Sequence, residues 1–571
     1  MYSPAMDNST TSSANIALGS VWLNHCLQNH PGCASPSLTT IPPRRLINIR
    51  NPLHVFLEDK TIERKEYIAL SYKWGSNNRY LSRTSNIDEH YQLVPLNALP
   101  KTFIDAIHVS HKLGFHHLWI DALCILQDSV TERSQEMDRM GEIFKGATLT
   151  LFAEAADDAG VGLACVRDPR HVKPCRLDFY VTIAGKPNRT CTFVAPQISH
   201  FRPYRRLAPL RQRGWVLQEE VAAVRALSFG HLQMEWDCHS SICAEARPGP
   251  LPSFTLEQEE KQEQAVATMH EDNGFFRGLL KFQDRNSISG GPVDPLRAWY
   301  SLVGDYSSRS LTYASDVLPA LAGLATIMAR TQRLHYANGV WKEHIVYGLL
   351  WRAEPRGDPR ANDMNPVDVA LQPSWTWTSH WGLTTSYMML LTMKIGMPIV
   401  EVDWCHEAIH DAFEVLSEEC SFAHVGHDQR ASAARLNAYQ DITTRTLTLT
   451  GYVNTGIVDY LQEPRMKGPW CRAIRIAQDQ CDLGSLYFDR HPEKVRFDEV
   501  TLLLCATSIS VVESSIRELS LALVSTGRKD EYKRVGIVAN IRPTGAVPYD
   551  AEKHLPTELW KHRMRRTIVL V

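Results

Sequence analysis

The sequence has almost no net charge: 61 Lys and Arg stand against 63 Asp and Glu, leaving −2. No basic field gathers nucleic acid or an anionic membrane surface, so neither is expected as a partner. A long apolar run is also missing. The longest stretch, Tyr387 to Val400, contains Lys394 and Pro398 and falls short of the roughly 20 residues that span a bilayer. At the N-terminus no basic segment precedes an apolar one, so no signal peptide is expected. The cysteines lack a paired pattern. Thirteen of them, an odd number, are scattered along the chain, which reads as reduced thiols in a cytoplasmic protein. No internal repeat is found, which excludes a repeat array.

What is present is ordinary globular material. Apolar residues make up 44% and charged residues 22% of the 571 positions. That length is enough for more than one core, because single cores stop growing near ~250–300 residues. Fourteen tryptophans predict large aromatic clusters in those cores. Composition divides the chain into a polar lead at 1–18, expected to be disordered, and a short lead-in at 19–60. A strongly periodic region follows at 61–245, then a Pro-rich and Gln/Glu-rich linker at 246–290 and a second globular half at 291–571.

Between residues 67 and 152 strands and helices alternate. Tyr67–Tyr72 (YIALSY), His117–Asp121 (HLWID) and Thr148–Phe152 (TLTLF) are short apolar runs, as expected of strands covered on both faces. Pro100 opens a helix whose Phe103, Ala106, Ile107 and Ser110 share one face, and Gly114 closes it. Ser129 and Glu132 form a capping box for a second helix, with Met137, Met140 and Phe144 on its inner stripe up to Gly146. Strand-helix-strand-helix-strand with short links predicts a parallel, doubly wound α/β sheet, and ligands sit outside the carboxyl ends of such strands. Lys73, Trp74 and Gly75, then Asp121 and Cys124, then Glu154 are therefore expected around one crevice.

Three phrases carry a family resemblance. YIALSYKWG at 67–75 is similar to the opening motif of fungal heterokaryon incompatibility (HET) domains. LWIDALCILQ at 118–127, with Met140–Phe144 and Gly162-Leu163, resembles the central motif. RGWVLQE at 213–219, with Arg225 and Phe229-Gly230, resembles the closing one, so the core motifs run from 67 to 221. Flanking phrases extend the likeness: Trp22-Leu23, Cys26, His30 and Cys33 before the domain, and Gly339-Val340-Trp341, Leu350-Trp351 and Pro373–Trp377 after it. Leu126 and Val216 depart from the family, which usually has Asn and commonly Thr there.

The resemblance implies a flavodoxin/TIR-like parallel-sheet domain followed by a larger C-terminal α+β region. It also implies a cytoplasmic role in nonself recognition and regulated cell death, through a protein partner or self-assembly. HET domains resemble TIR domains, some of which cleave NAD. On that likeness Glu219 and Asp121 would be catalytic and NAD would be the substrate. Ser71, Tyr72, Trp74, Gly75 and Trp215 would line its site. No resident cofactor and no metal follow from the resemblance.

Plainer readings stand beside these. Glu219 could merely favour a helix dipole, Asp121 could cap a turn, Trp74 could be a core aromatic and Cys124 a small core residue. Arg202, Arg205, Arg206, Arg211 and Arg213 could clamp a diphosphate or an acidic partner, or form a solvated loop. His406-Glu407-x-x-His410 has the spacing of a zinc hydrolase helix. Cys26, His30 and Cys33 could be three zinc ligands with Cys238 or Cys243 as a fourth, or inert residues of a packed helix.

Overall fold

The computed structural model describes residues 7–33, 42–59, 65–75, 80–168, 175–181, 189–195, 208–246, 248–249, 295–354, 373–380, 384–386, 394–398, 401–403, 447–459, 471–476, 482–489, 497, 499–510, 515–543 and 565–570. The chain divides into two compact units, 1–292 with 320–324, and 293–319 with 325–571. The His406–His410 motif, Arg202, Arg205 and Arg206, and most of the 246–290 stretch lie outside the described residues.

The first unit is an α/β layer. Its strands are β1 (Arg45–Asn48), β2 (Phe56–Asp59), β3 (Ile68–Ser71), β4 (His117–Trp119), β5 (Leu149–Phe152), β8 (Arg225–Phe229), β9 (Met234–Cys238) and β10 (Ile242–Ala244). A separate hairpin joins β6 (Cys175–Val181) to β7 (Arg189–Ala195). The eight-stranded sheet has the order β10-β9-β8-β5-β3-β4-β1-β2. Its centre, β4-β3-β5-β8, is parallel, while both flanks are antiparallel. Every residue of β3, β4, β5 and β8 is buried, which explains why these strands read as continuous apolar runs. Renumbered along the chain, the parallel centre runs 2-1-3-4. That is the flavodoxin-type winding, whose direction reverses beside β3.

The helices follow local chemistry. α1 (Ser13–Asn29) starts where the Ser12 hydroxyl accepts from the Asn15 amide. The polar composition suggested a disordered lead through residue 18, but Ile16, Gly19, Trp22 and Leu23 of this helix are buried, and Ser12 supplies the cap that starts it. α2 (Lys101–Lys112) buries Phe103, Ala106, Ile107 and Ser110, and Gly114 takes φ +88° just beyond it. The expected second helix is broken at Arg139 into α3 (Val130–Asp138) and α4 (Met140–Gly146). Its capping box is only half made. Ser129 accepts from the Glu132 amide at 3.3 Å, but the Glu132 carboxylate turns inward to the Arg45 guanidinium and the Leu126 amide, a charge-assisted pairing stronger than a bond to the Ser129 amide. Met140 and Phe144 are buried, whereas Met137 is only half-buried.

The second unit contains the helix Pro295–Ser307 and, among its described residues, a nine-stranded sheet that includes Leu447–Asp459, Glu499–Ser510, Ser515–Ser525 and Glu531–Pro543. The flanking phrases of the sequence contribute to its aromatic core: their Trp341, Trp351, Trp375 and Trp377, together with Trp299, are all fully buried. Trp377 donates to the Gly339 carbonyl at 2.8 Å, and a Cβ at Gly339 would lie 2.7 Å from that indole. Arg534 lies over the Trp351 ring at 3.6 Å and is paired with Asp489. No helix among the described residues is long and apolar enough to cross a membrane.

Candidate functional site

The turns leaving β3 and β4 lie beside α5 (Gly214–Ala222), the helix that feeds β8. Together they enclose a small hollow lined by Leu70, Tyr72, Trp119, Asp121, Met140, Phe144 and Glu219. Two carboxylates and a phenol thus share an otherwise apolar space at the carboxyl ends of the central strands, next to the reversal point of the winding. The hollow has a free volume of about 10 Å³, the room of about one water.

Asp121 opens a four-residue helix, Asp121–Cys124, after β4. Its two oxygens accept from the Trp74 indole at 2.7 Å and from the Ala122 amide at 2.7 Å. Arg213 donates to the Tyr72 carbonyl at 2.6 Å and also faces Asp121. The residue keeps a partly exposed edge, but its carboxyl group is desolvated. Burial therefore pushes its pKa above the ordinary carboxylate value, against the pull of Trp74, Arg213, Tyr72 and the Ala122 amide. Glu219 is 7% exposed on α5. Its carboxylate lines a water-sized hollow.

The other expected lining residues are placed as follows. Ser71 is buried at the end of β3, and its hydroxyl has no partner among the described residues. Trp74 is half-buried against the core. Gly75 adopts φ +70°, and a Cβ there would come within 2.2 Å of Asp158, so the turn after β3 requires glycine. Trp215 is half-buried in the first turn of α5 but does not line the hollow. Cys124 is fully buried, and desolvation raises its thiol to about 12, the environment of an inert core thiol. Glu154, after β5, pairs with Arg211 at 2.7 Å, and Arg211 also contacts Glu220. That arginine is committed to two carboxylates, so it is not an open anion clamp.

One residue that sequence reasoning missed supports the site. Gln218, the neighbour of Glu219, bridges the Gly141 amide at 2.9 Å and the Ala320 carbonyl at 3.2 Å. A Cβ on Gly323 would meet it at 3.0 Å. The amide of Gln218 thereby fixes the rotation of α5 against α4. Its signal in the sequence is only a polar residue inside an apolar helix face.

The family model described as heterokaryon incompatibility protein (HET) matches residues 67–219, from β3 to the glutamate that lines the hollow. The chain is a HET-domain protein. A curated relative, heterokaryon incompatibility protein 6, OR allele, of Neurospora crassa, is 29% identical over 102 residues. That match covers 16% of this chain and 15% of the relative. No solved structure matches the chain. Within the HET domain the three motifs meet in one place: the opening motif supplies Tyr72, the central motif Asp121 and the closing motif Glu219.

Proposed function

We propose that this HET-domain protein acts in heterokaryon incompatibility, as a cytoplasmic nonself-recognition protein whose output is regulated cell death. We further propose that the Asp121–Glu219 hollow is its effector site and that NAD is its substrate. The observation that carries this reading is the convergence of Tyr72, Asp121 and Glu219 at the carboxyl ends of a parallel sheet with flavodoxin-type winding. Glu219 would hold the ribose hydroxyls and stabilise the positive charge that develops as the bond to nicotinamide breaks. Asp121, anchored by Trp74, would orient the sugar. A space for one water does not admit a ribose, so turnover on this reading requires the Tyr72–Gly75 turn to move aside, with assembly or partner contact as its trigger.

The same small volume favours a second reading, in which the domain is a non-catalytic interaction scaffold triggered by a protein partner and the two carboxylates only fix its fold. Nicotinamide release by purified full-length protein at high concentration separates the two. Catalysis predicts release that falls at least ~100-fold in Glu219→Gln with unchanged thermal stability, the scale of losing one transition-state contact. No release from the wild type under any assembly condition leaves only the scaffold.

A further inference from the structure

A second cluster lies away from the hollow, where α1 and the turn after it meet the antiparallel flank of the sheet. Cys26 sits in the last full turn of α1 and His30 caps that helix. The short helical turn Pro31–Cys33 then folds the chain back, with the Cys33 amide donating to the His30 carbonyl at 2.9 Å. Cys238 closes β9. Among the described residues these four form a group whose three sulfurs and one imidazole nitrogen all lie within 4.8 Å of one another. The Cys238 sulfur is 3.4 Å from His30 Nδ1. A tetrahedral zinc with bonds of about 2.3 Å to sulfur and about 2.0 Å to nitrogen has ligand-to-ligand edges of roughly 3.5–3.8 Å. The four ligands therefore need shifts of no more than roughly 1 Å to close on such an ion. Cys243, on the neighbouring strand, does not join them.

Two independent features point to an ion of this kind. Arg225, at the start of β8, is 1% exposed. It donates to the Cys26 sulfur at 3.3 Å, to the Thr148 carbonyl at 3.2 Å and to the Cys33 carbonyl. Among the described residues no carboxylate pairs with it, and a buried cation without a counter-charge is costly. Zinc bound by three thiolates and a neutral imidazole carries one net negative charge, which supplies that counter-charge. The second feature is the ring of donors around Cys238: the Ser240 amide at 3.4 Å and the Ser241 hydroxyl at 3.3 Å both face its sulfur. Such outer donors hold metal thiolates in place.

We propose that Cys26, His30, Cys33 and Cys238 form a structural zinc site that fastens α1 to the β8–β9 hairpin. Four protein ligands fill the tetrahedron and leave no open position, so the ion stabilises and does not catalyse. Binding releases the three thiol protons to solvent and leaves the imidazole neutral, with Nδ1 as its ligand atom. The site ties the start of the chain to a strand some two hundred positions later, across the whole HET domain.

Elemental analysis of the full chain, purified without chelator, tests this. About one zinc per chain is expected, with X-ray absorption at the zinc edge showing three sulfurs and one nitrogen. Cys33→Ser and Cys238→Ser are expected to lose most of the metal and to unfold at lower temperature. Cys243→Ser and the double variant His406→Ala, His410→Ala are expected to keep it. If the ligand variants fail to fold, the absorption spectrum of the wild type alone decides. The proposal is overturned by a folded chain that takes up no zinc from added zinc chloride, by a disulfide among Cys26, Cys33 and Cys238 in the isolated protein, or by zinc held only through nitrogen and oxygen.

Discussion

His90 shows how a single buried side chain sets a pH limit on this protein. Its ring is 2% exposed and lies between the Tyr80 hydroxyl and the Ser82 hydroxyl, each at 2.9 Å. Burial lowers its pKa below the ordinary 6.5, and the nearby Glu89 pulls only weakly the other way. The folded chain therefore keeps the ring neutral while the unfolded chain protonates it near 6.5. The associated stability is complete above that pH and is lost as the pH falls through and below it. The loss from this one group steepens as the pH falls below 6.5, to at most about 1.4 kcal/mol per pH unit. Denaturant unfolding from about pH 7.5 to about pH 5.5 should show wild type losing its advantage over His90→Gln. A difference between the two that does not change with pH contradicts the assignment.

At the same scale, the residues legible in the sequence were those with a strong local signature. Asp121 and Glu219 stood at the ends of a strand-like and a helix-like phrase, and both line the hollow. Trp215 stood in the same phrase, one helical turn before Glu219, yet it lies off the hollow. The choice of Cys238 over Cys243 was illegible, since both lie on alternating positions of neighbouring strands and only the distant α1 selects between them.

Among the elements, the continuous apolar strands and the amphipathic α2 were plain from pattern. β8 was not read as a strand, because it opens on an arginine that looks solvated until its buried partners are known. α1 was missed over its first turns for the complementary reason: Ser and Asn residues that look disordered in composition act as its cap. At the break between α3 and α4, Arg139 donates to Glu136 at 2.8 Å and to the Pro42 carbonyl at 2.5 Å. Arg45 on β1 reaches Glu132 on α3 with two hydrogen bonds of 2.7 and 2.8 Å, and also binds the Cys124 carbonyl at 2.9 Å. One side chain thus joins the sheet flank, the Asp121–Cys124 turn and α3. Arg45→Met should cost about 3–5 kcal/mol, because it leaves a buried carboxylate served mainly by the half-exposed Arg44. Chemical denaturation measures this. A loss below about 1 kcal/mol would mean that the pair contributes no more than a surface one.

At the scale of the molecule, the α/β class of the first unit was legible in the alternation of its elements. The long strands of the second unit lie beyond its aromatic phrases, which mark a core without showing what covers it. The closing of the HET domain by its own three motifs is a tertiary event that spacing alone cannot display. In the function proposed above those motifs build an effector site, and the decisive measurement is NAD and viability followed together in a filamentous fungus expressing wild type or Glu219→Gln at equal level. Wild type is expected to deplete NAD before cells die while Glu219→Gln leaves both intact; cells that die equally with the variant, their NAD unchanged, would contradict an effector role for this site.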